Sequence, residues 1–62
     1  MITTEQKIAM LRRVIDLLTE ADTLQRQALG DSDATWMNHE QIQEVVGEIM
    51  MDIIDLEHPS TL

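Results

Sequence analysis

The chain has 62 residues, no cysteine, one aromatic residue (Trp36) and a formal net charge of -8. The length excludes a second domain, and the lack of cysteine excludes disulfides, thiolate nucleophiles and cysteine-bound zinc. A hydrophobic fraction of 44% is too high for a disordered acidic tail, so the sequence predicts a small folded module.

The first predicted helix covers about residues 4–29, because Thr3 or Thr4 can cap it and nothing interrupts the chain before Gly30. Two apolar seams with helical spacing run along it, the first made of Met10, Val14, Leu17, Ala21, Leu24 and Ala28, the second of Ile8, Leu11, Ile15 and Leu18. Together they cover roughly 200° of the N-terminal half, which is more than one neighbouring helix buries.

A turn over about residues 30–34 is predicted, since Gly30 is typical of a helix end and the following Asp and Ser residues favour turns and caps. The second helix is predicted over about residues 35–57, with Asp33 or Asn38 as alternative starts, before a tail over 58–62 that contains Pro59. Its apolar seam consists of Ile42, Val45, Val46, Ile49, Ile53 and Leu56, widened by Met50 and Ile54.

These elements predict an all-α fold, a single-domain helical hairpin over residues 1–62 that dimerises into a four-helix bundle. A short chain with apolar arcs this broad favours a second copy, so a homodimer is expected. A hairpin centred near residue 32 would bring Arg12 close to Asp52 and Lys7 close to Glu57. The predicted self-association core consists of Leu11, Val14, Ile15, Leu18, Ile42, Val46, Ile49, Met50, Ile53 and Ile54.

The negative charge is confined to the second half of the chain. Residues 1–29 hold four acidic and four basic side chains, whereas residues 30–62 hold eight acidic side chains and no Lys or Arg. Four of these, at spacings of four, four and three, form a stripe along the second helix: Glu44, Glu48, Asp52 and Asp55. The stripe has three interpretations, namely a solvated face, a docking face for a basic protein or mimic of nucleic acid, and a divalent metal site.

The metal interpretation rests on the run EVVGEIMMDIID, which resembles the acidic helices of all-α nucleotide pyrophosphohydrolases. That resemblance implies a carboxylate-metal hydrolase acting on nucleotides. Such chemistry needs a second acidic pair on a facing helix, and the first helix offers only Asp16, Glu20 and Asp22 on its polar side. No catalytic residue, metal ligand or cofactor is assigned, and a non-enzyme is expected.

A second alternative rests on Lys7, Arg12 and Arg13, the main basic cluster. In length and layout the chain is similar to plasmid-encoded RNA-binding modulators that dimerise into four-helix bundles, which implies a bundle that reads RNA loops. The first helix has no aromatic residue to stack on bases, and the acidic balance disfavours nucleic acid as a partner.

Two further positions have a structural and a functional interpretation. Trp36 with Met37 forms either a staple that closes the turn or an exposed anchor for a partner at the hairpin tip. Gly47 either permits close helix approach at a subunit contact or is a tolerated substitution that costs about 1 kcal/mol relative to alanine.

The sequence thus predicts a small acidic, non-catalytic regulator or inhibitor that binds a basic partner protein, of a size and charge found among phage, prophage and plasmid genes. The opening residues MITTEQKIAM lack the features of a secretion signal, and no stretch approaches the roughly 20 apolar residues of a membrane span. A cytoplasmic protein without membrane contact is expected.

Overall fold

A computed structural model describes residues 1–58 and contains two helices, α1 (Thr4–Leu29) and α2 (Asp33–Glu57), which pack against each other as a hairpin. The predicted all-α hairpin is therefore confirmed. Most of the predicted tail, from residue 59 onward, lies outside the described residues.

A reciprocal capping box starts α1. The Thr3 hydroxyl accepts a hydrogen bond from the Gln6 backbone N–H at 3.1 Å, and the Gln6 side-chain oxygen accepts one from the Thr3 N–H at 2.9 Å. Two of the N–H groups left free at a helix start are satisfied in this way, and Glu5 lies favourably in the first turn. The first helix accordingly begins at Thr4, as predicted.

The turn spans only three residues. Gly30 ends α1 by donating its N–H to the Arg26 carbonyl at 2.8 Å, and Ser32 caps α2 by accepting from the Thr35 N–H at 3.2 Å. The second helix therefore begins at Asp33, one of the predicted starts, and the capping pattern at Asn38 lies inside the helix.

Gly30→Ala is expected to lower the free energy of unfolding by about 1–3 kcal/mol, measured by urea denaturation. Gly30 has φ 66° and ψ -156°, a region that is essentially restricted to glycine. A Cβ there would meet nothing within 4 Å, so the loss comes from the backbone rather than from a clash. Gly47→Ala is the matched control, since Gly47 also has open space but helical geometry, and it should stabilise the chain by about 0.5–1 kcal/mol. Equal effects at both positions would contradict the backbone explanation.

The two helices meet along one seam. It consists of Ile8, Leu11, Ile15, Leu18, Asp22 and Gln25 from α1, and Thr35, Asn38, His39, Ile42, Val46, Ile49, Ile53 and Leu56 from α2. On α1 the seam continues the second predicted apolar seam rather than the first. Only two hydrophobic residues of the described part of the chain, Val46 and Ile53, are buried, and neither is completely buried, so one hairpin builds a very small core.

The seam changes character along its length. Far from the turn it is aliphatic, whereas near the turn the half-buried and buried side chains are polar. Thr35 is the most buried residue of the hairpin, and its hydroxyl lies 2.9 Å from the Ser32 hydroxyl that caps the same helix. Polar side chains therefore close the hairpin next to its turn.

The prediction that Arg12 lies close to Asp52 is wrong. A guanidinium nitrogen of Arg12 lies 3.1 Å from a carboxylate oxygen of Glu57, not beside Asp52. At 100° per residue, Glu57 and Asp52 lie on opposite sides of the α2 seam, and only Glu57 is on the side of Arg12. Lys7, predicted beside Glu57, lies on the other face with Met10 and Val14. The exposed Arg12–Glu57 pair contributes about 0–1 kcal/mol.

Candidate functional site

The acidic stripe lies on the part of α2 that is turned away from the seam. All four of its carboxylates, Glu44, Glu48, Asp52 and Asp55, are exposed. Within residues 1–58 none of them forms an ion pair, whereas the neighbouring Glu57 is bound by Arg12. The stripe thus presents four uncompensated acidic groups to solvent along one side of a single helix.

The structure separates the predicted self-association residues into two groups. Seven lie in the seam between the helices, where they hold the hairpin itself together: Leu11, Ile15, Leu18, Ile42, Val46, Ile49 and Ile53. The other three, Val14, Met50 and Ile54, are exposed. Of the ten predicted residues only these three are exposed, and the role of the set in self-association stays a prediction.

Many of the exposed apolar residues form two strips, whereas others, among them Met37, Val45 and Met51, lie outside them. The α1 strip consists of Met10, Val14, Leu17, Ala21 and Leu24, all of them exposed. The α2 strip consists of Trp36, Gly47, Met50 and Ile54, which are also exposed.

The two strips lie on opposite faces of the hairpin. A groove that continues the face of the α1 strip is lined by Leu18 and Gln25 of α1 and by Gln41 and Val45 of α2. The opposite face carries the Arg12–Glu57 ion pair and the contact of Arg26 with Trp36, a member of the α2 strip. One flat contact therefore covers one strip and leaves the other exposed.

Trp36 lies half exposed near the hairpin tip and is held by two neighbours. The guanidinium carbon of Arg26 lies 5.7 Å from the centre of its ring, and the His39 ring packs edge-on at 5.9 Å. Trp36 is the fourth residue of α2, and the staple position before the cap is the polar Asp31, so a hydrophobic staple does not form. Trp36 and Met37 are both exposed, and their role as an anchor for a partner stays a prediction.

A polar pair that was not predicted from the sequence lies in the seam, formed by the buried Asp22 and the half-buried His39. Nδ1 of His39 donates a hydrogen bond to Oδ2 of Asp22 at 2.8 Å. Asp22 is only 8% exposed, and its Oδ1 is buried without a hydrogen-bond partner. The prediction that Asp22 lies on the polar side of α1 is wrong, because it continues the seam spacing four residues after Leu18. Extending that spacing past Leu18 would have found it.

The other charged groups are scattered around α1. Asp16 and Glu20 are exposed, and within residues 1–58 no three His, Asp or Glu side chains are placed to share a metal ion. The basic residues Lys7, Arg12 and Arg13 are exposed but point to three different sides of a helix with 100° per residue. Neither described helix has an apolar stretch long enough to cross a membrane.

Comparisons with protein-family models, with characterised proteins and with solved structures find no match for this chain. The surface of the hairpin therefore carries the functional argument. That surface defines a class of architecture, a two-helix hairpin with two apolar strips and one acidic stripe. Because the same fold serves unrelated functions, the exposed side chains, not the fold, indicate what the hairpin binds.

Proposed function

We propose that the chain is a small non-catalytic regulator or inhibitor that binds a basic surface of a partner protein through the acidic stripe. The observation that carries this proposal is the exposure of all four stripe carboxylates without an ion pair in residues 1–58. Like charges four residues apart oppose helix formation by about 0.2–0.5 kcal/mol per pair. A basic partner surface would remove that repulsion and gain complementary charge contacts.

The distribution of charge supports the same function. Residues 1–29 are neutral overall, and the net charge comes from residues 30–62. A one-sided negative field attracts and orients a basic partner, and it speeds association most at low ionic strength. The same field would let the stripe occupy a surface of the partner that binds nucleic acid.

We also propose that two hairpins assemble as a homodimer. Val46 and Ile53 are the only buried hydrophobic residues of the described part of the chain, while many large hydrophobic side chains are exposed. Exposed apolar strips of this extent are typical of association surfaces. A second copy would give each helix a second neighbour, as in a four-helix bundle.

The acidic-face proposal is tested by pulldown from a cell lysate with wild type and the triple variant Glu44→Lys, Glu48→Lys and Asp52→Lys. We expect the wild type to capture basic proteins in a salt-sensitive manner and the triple variant to lose them while keeping its helical circular dichroism. A control with the same change in net charge reverses three exposed acids outside the stripe: Glu5, Asp16 and Asp31. Loss of capture by both variants, or by neither, would reject a specific role for the stripe.

A further inference from the structure

The hairpin exposes more surface than a compact chain of its mass. Its accessible surface is 5042 Å², whereas a compact monomer of 7.1 kDa exposes about 4,100 Å². The excess of roughly 900 Å² is close to the ~800 Å² that each partner buries in a protein interface of standard size. An excess of this size is large enough to accommodate one interface with a second chain.

We propose that a second copy of the chain packs on the α1 strip, with the two α1 helices antiparallel about a twofold axis close to Leu17. This inference rests on the proposed homodimer and specifies its interface. In a twofold contact the same patch serves both copies, so the patch must complement itself. The α1 strip meets that requirement in shape and in charge.

The α1 strip is complementary to the α1 strip of a second copy that runs in the opposite direction. In an antiparallel pair centred near Leu17, each Met10 lies level with Leu24 of the second copy, and the two Leu17 side chains meet at the centre. Val14 then lies within one residue, or about 1.5 Å along the axis, of Ala21 of the second copy, a larger side chain against a smaller one. The alternating spacings of four and three along the strip keep these residues facing the other helix, as in a coiled coil.

The residues flanking the strip complement themselves as well. On the side away from α2, exposed residues recur every seven positions: Gln6, Arg13, Glu20 and Gln27. Reversal about Leu17 places Arg13 beside Glu20 of the second copy, and the symmetry repeats the pair. Within one helix Arg13 and Glu20 are about 10 Å apart along the axis and form no ion pair with each other. A parallel pair would instead place these residues beside the opposite flank of the second helix, so it would form no Arg13–Glu20 pair.

The charge of each helix also favours the α1 strip over the α2 strip as the dimer interface. α2 carries seven acidic residues and no Lys or Arg, so a contact between two α2 strips would bring acidic helices together. α1 carries four acidic and four basic residues and can approach its own copy without net repulsion. The α1 interface leaves the acidic stripe of each α2 outside the contact.

Sedimentation equilibrium at micromolar concentration tests the interface. We expect a wild-type dimer and at least a roughly tenfold weaker dimer for Leu17→Gln, which places an amide at the centre of the strip. Ile54→Gln on the α2 strip is the matched control, because Leu17 and Ile54 are 47% and 50% exposed, and it should leave the dimer intact. Dissociation by Ile54→Gln but not by Leu17→Gln would overturn the α1 interface and keep the homodimer. A monomeric wild type would overturn both.

A charge swap tests the antiparallel arrangement with exposed residues only. Arg13→Glu and Glu20→Arg should each weaken the dimer, although they change the net charge in opposite directions. The double variant Arg13→Glu with Glu20→Arg should restore wild-type association, since the two pairs form again with reversed signs. Single variants that associate like the wild type, or a double variant that stays weak, would overturn the antiparallel α1 contact.

Discussion

Ile53→Ala is expected to lower the free energy of unfolding by about 2–4 kcal/mol. Ile53 is one of the two buried hydrophobic residues of the described chain and lies in the aliphatic part of the seam, far from the turn. Removing its branched side chain loses apolar burial and leaves a gap that two helices close only in part. A chain of this length has roughly 3–9 kcal/mol of total stability, so the variant loses a large share of it. Urea denaturation followed by circular dichroism at fixed protein concentration measures the change.

The adjacent residue provides the control for this prediction. Ile54→Ala removes the same atoms from a side chain that is half exposed on the α2 strip. Its effect should stay within about 0.5 kcal/mol, as for most surface substitutions. Equal losses for the two alanine variants would show that the core does not lie along the seam at Ile53.

His39→Leu is expected to lower the free energy of unfolding by about 2–3 kcal/mol. Asp22 is buried in the seam, and its Oδ2 accepts the one hydrogen bond that His39 donates. Without His39 the carboxyl group stays buried with neither oxygen bound by another side chain, and such a group loses its full hydration energy. This expected loss of unfolding free energy is at the low end of the range for buried pairs because the His39 side chain is 28% exposed.

The double variant Asp22→Leu with His39→Leu separates two contributions to stability: the hydrogen bond between the two side chains and the burial of each side chain in the seam. Two leucines at facing seam positions should restore wild-type stability or exceed it, as buried ion pairs replaced by apolar residues often do. The four proteins form a double-mutant cycle measured by urea denaturation. A double variant as unstable as His39→Leu would show that these positions stabilise the hairpin for another reason.

Much of the fold follows from local sequence signals. Thr3, Gln6 and Gly30 define the start and end of α1 through short-range hydrogen bonds and backbone geometry, which a sequence shows directly. The face of α1 that meets α2 is less evident, because two apolar seams compete. The first predicted apolar seam, which contains the α1 strip, stays apolar as far as Ala28. The seam that meets α2 becomes polar at Asp22 and Gln25. Hydrophobicity alone therefore ranks the exposed strip above the buried one.

The acidic stripe is predictable because its residues share one helix, and one helical period places them together. The contacts between the helices cannot be predicted in the same way, because each contact depends on the rotation of both helices about their axes. Arg12 is paired with Glu57 rather than Asp52 for this reason, and Asp22 meets His39 across 17 positions of sequence. Counting residues from the turn predicts how far along the hairpin a contact lies. It does not predict on which side of the seam the contact lies.

The buried pair near the turn also decides how the two helices are aligned. Along the aliphatic part of the seam, sliding one helix by a single turn would still place hydrocarbon against hydrocarbon. The same slide would move Asp22 away from His39 and set its carboxyl group against Ile42, at a cost of several kcal/mol. Asp22 and His39 thus discriminate between the native alignment and its slipped competitors. A chain with leucine at both positions should populate several alignments, visible as doubled or broadened amide signals in its NMR spectrum.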